Sequence, residues 1–478
     1  MKHFLKISFI VITIISIASC DSIDFGDTNT NPNNPSVGST ATLLTSAQKY
    51  IGHNYATSPT PNLYVQYLAN GDYDDQSRYL SFNFSYNTEY ATVLRNIKEV
   101  IDLCDGESTK SAAAANGSVN NQKAVAKIMR AYMFWTMTDR WGMLPYSESL
   151  QGIENSFPKF DAQEDIYTGC FTEIDEALAM VDSGNGPSGD IIFNGSMTKW
   201  TQFANTLRVV MALRISRKVP ASTGYAAAEF NKGIAGAISA NSENLSFSFL
   251  TEDSNDNPWE DRFESRKDYV LADTFVDALI GTGTNVAPED PRLAKYGEVS
   301  STGLVYVGGV YGETNNTANF SFITEDIIKN TTAPAMLFTY SQVAFAKAEA
   351  VTLGWYAGSA SSFYDTAIQA SMDQWGVDAA DATTYIAAHP YASITDIAQQ
   401  KWVSLFMQGY ESWAEWRRYE ASGVAPTLKI LTNAINGTGI PQRHAYPGSA
   451  PTLNEAQYNA AVTAQGADDL DTKLWWAN

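Results

Sequence analysis

Four histidines and three cysteines are the strongest metal ligands and nucleophiles that this 478-residue chain offers. After the first ten residues only His53, His389 and His444 remain, with no H-x-x-x-H pair and no zinc-type spacing. A G-x-S-x-G elbow, a P-loop and a G-x-G-x-x-G fingerprint are all missing. The expectation is therefore a chain with no catalytic residues, no cofactor and no metal. Cys20 is the cysteine with chemistry to do. It ends Ile17-Ala18-Ser19-Cys20, behind a basic start at Lys2 and Lys6 and an apolar run from Ile7 to Ala18. That run is too short to cross a ~30 Å hydrocarbon core and reads as the h-region of a signal peptide. Small residues before the cysteine match a bacterial lipobox, in which the thiol takes a diacylglycerol. Residues 1–19 are then leader, and the mature chain is anchored to a membrane rather than spanning it.

Ligand-recognition chemistry is the other class the composition favours. Trp 11, Tyr 25 and Phe 22 make the chain 12 % aromatic, which suits stacking on flat ligand faces as well as core filling. Tyr73, Asp75, Arg78 and Tyr79 lie in or beside the polar, acid-rich turn Asn70-Gly-Asp-Tyr-Asp-Asp75. Trp259, Tyr306 and Tyr311 lie in a polar, glycine-spotted middle region. These seven are the expected ligand contacts, the rings for stacking and Asp75 and Arg78 for hydrogen bonds. Trp402, Trp413 and Trp416 recur at helical spacing and read as core. Asp139-Arg-Trp-Gly-Met-Leu-Pro-Tyr146 reads as a helix stop, with Gly142 ending the helix and Trp141 packing. A net charge of −21 excludes a basic nucleic-acid groove and electrostatic docking on an anionic membrane. Asp27, Asn29, Asn31 and Asn33 alternate like a calcium loop but lack the glycine and glutamate of an EF-hand. Cys104 and Cys170 sit in helix-like segments without framework spacing and are expected as buried free thiols.

Helical periodicity must position these residues. It predicts helices over residues 39–52, 86–104, 122–141, 163–181, 197–217, 226–240, 336–353, 364–375, 393–408 and 410–421. Ser393 and Asp396 form an expected capping box, and Gly354 an expected helix stop. The fold class is all-α, with a tether over 20–39 and a single domain over 40–478. Within it, a helical scaffold occupies about 40–240 and 335–422, around an irregular insertion at about 241–334. An irregular tail follows over 423–478. Long irregular insertions in ordered domains are usually functional.

Pieces of this sequence, taken in order, resemble the SusD/RagB family of Bacteroidetes surface lipoproteins. They include Asn31-Pro-Asn-Asn-Pro35, Asp139 to Tyr146, Asp190-Ile-Ile-Phe-Asn-Gly195 with Lys199-Trp200, and Phe203-Ala-Asn-Thr-Leu-Arg208. Asp290-Pro-Arg-Leu293, Ala346-Lys-Ala-Glu-Ala350 with Gly354-Trp355, Gln399-Gln-Lys-Trp402 and Trp413-Ala-Glu-Trp-Arg417 continue the match. Asp21, Asp24 and Asp27 after Cys20 resemble the acidic export tag of such lipoproteins. The resemblance implies a SusD-like scaffold with tetratricopeptide-like helix pairs and an embedded loop-rich ligand region. It also implies an outer-membrane location facing the exterior, a glycan or peptide ligand, and a SusC-type TonB-dependent transporter as partner, which the protein covers as a lid. A helical-repeat adhesion or assembly lipoprotein is the alternative of a different class.

Overall fold

The long helices begin where short polar side chains can accept from a free backbone N–H. Ser118 accepts from Asn121 N, Ser196 from Lys199 N, Thr339 from Gln342 N and Ser359 from Ser362 N. Ser393 and Asp396 form the capping box in full. The structure, a computed structural model, describes residues 38–478. The leader, Cys20, the acidic residues after it and the Asp27–Asn33 loop lie outside the described residues.

Among the described residues, the α-helices of six residues or more are α1 (Thr40–Tyr50), α2 (Pro59–Tyr64), α3 (Arg95–Asp105), α4 (Val119–Trp141) and α5 (Gln163–Met180). Then come α6 (Met197–Arg214), α7 (Tyr225–Ile234), α8 (Pro258–Glu264), α9 (Asp273–Ile280) and α10 (Tyr340–Thr352). The chain closes with α11 (Ala360–Gln374), α12 (Ala379–Ala388), α13 (Ile394–Ser404), α14 (Gly409–Glu420) and α15 (Glu455–Gln465). Four short strands, β1 (Leu68–Asn70), β2 (Leu245–Phe247), β3 (Tyr269–Leu271) and β4 (Ala335–Phe338), form two antiparallel pairs. Helix pairs α4/α5, α6/α7 and α10/α11 pack as hairpins and carry most of the scaffold. No described helix is long and apolar enough to cross a membrane.

Three differences from the periodicity have physical reasons. Residues 336–338, expected as helix, belong to strand β4, because Phe338 and Met336 pair with Leu245 and Ser246 before Thr339 caps α10. The insertion contains α8, started by the Asn257 cap and Pro258, and α9, a short helix whose Phe275, Val276 and Leu279 are buried. The tail contains α15, whose Gln465 accepts from Met143 N at 2.7 Å and donates to Trp141 O at 3.0 Å. Gln465 thus closes the end of α4, where Gly142 turns at φ +82 and a Cβ would strike the Gln465 amide. Cys104 and Cys170 are free and buried, and burial pushes the Cys104 thiol up to about 11.

A second class of contact lies beneath the apolar core. Arg214, at the end of α6, reaches Glu411 at 2.6 Å, Glu415 at 3.4 Å and Asp139 at 3.5 Å. Lys401 meets Glu415 at 2.6 Å, and Arg418 joins Glu415 at 2.7 Å to Glu349. Asp139 also accepts from Tyr167 and Trp476, at 2.5 and 2.9 Å. Burial raises Glu411 to about 7, Arg214 partly opposing it. Glu415, despite the same burial, is held well below the usual range by Arg418 and Lys401. Removing one partner strands buried charge, so Glu415→Ala should destabilise by about 3–5 kcal/mol in urea denaturation. Lys98→Ala, which breaks an exposed pair with Asp102, should cost no more than about 0.5 kcal/mol.

Candidate ligand site

The seven expected contact residues separate into four environments. Tyr73 is 67 % exposed, with the Arg266 guanidinium 5.4 Å from its ring centroid. Asp75 is exposed beside it. Arg78 is committed to the fold, donating to Asn433 O at 2.9 Å and pairing with Asp74 at 3.4 Å. Tyr306 is half-buried, its backbone exchanging hydrogen bonds with Asn285 at 2.8 and 2.7 Å. Tyr79 and Tyr311 are brought together, but inside the core, with hydroxyls 3.5 Å apart. The expectation that they present ring faces to a ligand is therefore corrected. A polar sequence neighbourhood misled because the turn at Tyr79 (φ +64) folds its ring inward against Tyr64. Burial pushes the Tyr79 phenol up to about 12 and that of Tyr311 well above its ordinary value.

Trp259 behaves differently. It is 2 % exposed, yet it walls a cavity of about 220 Å³. One wall belongs to the insertion: Asn257, Trp259, Asp326, Ile327 and residues 333–336. The other is built from helix ends, with Gln374 and Trp375 at the end of α11 and Phe406, Met407 and Gln408 between α13 and α14. Pro258 starts α8, and Asn257 accepts from Trp259 N at 2.9 Å while donating to Ala333 O at 2.7 Å. That residue therefore fixes Trp259 and the 331–334 loop together. Opposite, Trp375 stacks edge-on to Tyr296 at 4.7 Å and leans on Phe406 at 5.8 Å. Above Trp259, outside the cavity, the Arg262 guanidinium lies 4.9 Å from the indole.

The α13–α14 junction is tight. Met407 adopts φ +66, a left-handed conformation that costs a side-chain-bearing residue about 1–2 kcal/mol. The next residues permit it: a Cβ at Gly409 would stand 2.8 Å from Asn62 N, so α2 and α14 meet there backbone to backbone. Gln408, 7 % exposed, makes no side-chain hydrogen bond with any described residue, and its Oε1 is buried without a partner. Trp375 Nε1 is likewise an unpartnered donor. A smaller chamber of about 30 Å³ shares Ala56, Met336 and Gln408 with the cavity and reaches Glu411. Aromatic and thioether walls, an unpartnered indole N–H and an unpartnered carboxamide suit a partly apolar ligand that carries its own amide. Trp375, Met407 and Gln408 were not among the expected contacts. The only trace they leave in sequence is that Gly376 and Gly409 follow them at helix boundaries.

Residues 32–447 match the SusD-like family described as "starch-binding associating with outer membrane". The chain belongs to the SusD-like family. Its helix-rich architecture is that of the SusD-like fold, as three solved structures show. A chitin-binding protein is 26 % identical, with TM-score 0.76 over 92 % of this chain and 99 % of its own. A SusD homolog from Bacteroides fragilis is 21 % identical, with TM-score 0.79 over 92 % and 100 %. A chitin-binding SusD homolog from Flavobacterium johnsoniae is 21 % identical, with TM-score 0.72 over 92 % and 97 %. No curated protein gives a significant match.

The placement of the two tyrosines separates wall from core in a direct measurement. Tyr311→Ala should cost about 3–5 kcal/mol of stability, as for other buried aromatics. Tyr73→Ala should stay within about 0.5 kcal/mol, because its ring is largely in water.

Proposed function

We propose that this protein is an outer-membrane lipoprotein, anchored through Cys20 and facing the cell exterior. On this reading it binds a nutrient oligosaccharide without altering it. It then passes the ligand to a SusC-type TonB-dependent transporter, over which it sits as a lid. The observation that carries the reading is the cavity between Trp259 and Trp375, where ring faces and unpartnered polar groups converge. Membership of the SusD-like family and the absence of a nucleophile–base constellation among the cavity residues support binding rather than catalysis.

The cavity chemistry favours one ligand class, oligomers of N-acetylated hexosamines. A sugar ring presents an apolar face to indole, and an acetamido group presents one donor and one acceptor. Gln408 offers Oε1 to the group's N–H, and Trp375 offers Nε1–H to its carbonyl. The 26 %-identical structure with a chitin-binding name supports the same class. A peptide bond offers the same donor and acceptor, so an oligopeptide is the second reading.

Titration calorimetry of the mature chain with chito-oligosaccharides, their deacetylated counterparts and a peptide pool tests this. Acetylated oligomers should bind, and Trp375→Ala should weaken them at least tenfold, since stacking of this kind contributes about 0.5–1.5 kcal/mol beyond area burial. Gln408→Ala should shrink the preference for acetylated over deacetylated oligomers. Binding of peptides alone would establish the second reading. Binding of neither would exclude both.

A further inference from the structure

The cavity wall supplied by the insertion carries charge of one sign. Of the residues that line the cavity, Asp326 alone is ionisable. It belongs to the helical turn Glu325–Ile328 and is exposed, so it stands at the mouth rather than the floor. Lys329 pairs with Glu325, and no described residue forms a salt bridge with Asp326. A carboxylate at the mouth of an otherwise uncharged, ring-walled cavity is a poor partner for a ligand's own anion.

The surroundings add to that charge. The Glu325–Ile328 turn packs against α8, where Glu260, Asp261 and Glu264 outnumber Arg262. Arg262 is taken up by the fold: its Nη1 donates to Pro258 O at 2.9 Å, and its guanidinium covers Trp259 outside the cavity. Burial, and after it the charges of Glu264 and Asp256, keep the Glu260 carboxyl above its ordinary range, so this wall already holds negative charge at close quarters. On the α1 side, Lys49 is engaged by Ser254 O at 2.8 Å and Asn255 Oδ1 at 2.9 Å, and burial lowers the His53 pKa, favouring the uncharged ring. Neither of these lines the cavity. Opposite, Gln374, Trp375, Phe406, Met407 and Gln408 bring no charge. Low-dielectric walls focus such a one-sided field into the cavity.

We propose that Asp326 sets the charge selectivity of the cavity, so that neutral or amine-bearing glycans enter and glycans with carboxylate or sulfate groups are turned away. Such selectivity rests on the oligosaccharide reading above and decides which members of that class are refused. Recognition of an acetamido group by Gln408 and Trp375 does not tell an acidic N-acetylated oligomer from a neutral one, since both carry the same amide. Repulsion at the mouth does, by penalising the wrong ligand rather than by improving contacts to the right one. A neutral sugar meets no such penalty, and its hydroxyls can donate to the same carboxylate.

Calorimetry of the mature chain at low ionic strength and mildly acid pH tests this with three ligands. They are fully acetylated chito-oligosaccharides, the same oligomers with one free amine, and oligomers in which N-acetylated hexosamine alternates with a uronic acid. The neutral oligomer should bind, and the uronate-bearing one about tenfold more weakly or worse. Asp326→Asn, at an exposed position, should tighten the uronate-bearing oligomer about fivefold, weaken the amine-bearing one about fivefold and leave the neutral one within about twofold. Salt at about 0.5 M should shrink both shifts. A change in cavity shape does not produce shifts of opposite sign. Asp102→Asn, which removes an equal charge from α3 outside the lining, should move none of the three. Neutral binding with an unchanged uronate-to-neutral ratio in Asp326→Asn, shifts of one sign for all three ligands, or an equal effect from Asp102→Asn would overturn the inference alone. A chain that binds none of the neutral oligomers would overturn the oligosaccharide reading, and this selectivity with it.

Discussion

Buried charge in need of a partner organises this protein. Arg214, Lys401, Arg417 and Arg418 lie inside the scaffold with Asp139, Glu349, Glu411 and Glu415, four cations against four anions. Each alone would be prohibitive to bury, and together they fix the relative positions of α4, α6, α10, α13 and α14. Arg417 adds geometry to charge: it donates to Asp139 O at 2.7 Å and Gln442 O at 2.8 Å, with its plane 3.7 Å from the Trp413 ring centroid. Apolar packing tolerates sliding by a fraction of a turn, whereas this network does not. Its outlying copies work the same way. Asp290 and Arg292 form a bidentate pair that reaches Gln400 at 2.6 Å and Ser371 at 3.2 Å, joining the insertion to α11 and α13. Asp190 accepts from Ile192 N, Phe193 N, Gly195 N and the Trp200 indole, and so shapes the turn into α6.

The candidate ligand site is built on that rigidity. Glu411 and Glu415 belong to α14, and Gln408 is the residue just before that helix, so the corner that floors the cavity is held by the network one turn away. Met407 can hold a strained backbone only because its flanks are fixed on both sides, by Leu405 bonded to Lys401 O and by Gly409 against α2. The opposite wall, from the insertion, depends on fewer and more local bonds, chiefly those of Asn257. A rigid wall facing a lightly tethered one is a sound arrangement for a site that must admit and release a ligand.

The same physics explains what the sequence made legible. Asp139, Asp190, Asp290, Lys401, Glu415 and Arg417 all fall within the motifs that carry the family resemblance. Buried polar groups demand partners at fixed positions, so their residue types and order leave a recognisable trace. Helix starts were legible for a similar reason, as the Ser393–Asp396 capping box shows. Ligand contacts are under no such constraint. Tyr79 and Tyr311 carry polar neighbours yet turn inward, while Trp375 and Gln408 sit at helix ends that periodicity reads as scaffold. Strand β4 was hidden because Ala335–Phe338 is apolar enough to extend α10, and only its pairing with β2 decides otherwise. Helix α15 was hidden because the groups that dock it, Gln465, Tyr458 and Ala461, make no long apolar stripe and most of their partners lie far away in sequence.

The central claim is that ligand enters between Trp259 and Trp375, with Gln408 at the floor. A crystal structure of the mature chain with a chito-oligosaccharide tests it most directly. The account predicts a sugar ring against Trp375 and an acetamido group within hydrogen-bonding distance of Gln408. Sugar bound instead on the exposed face at Tyr73 and Arg266, with the cavity filled by water, would contradict it.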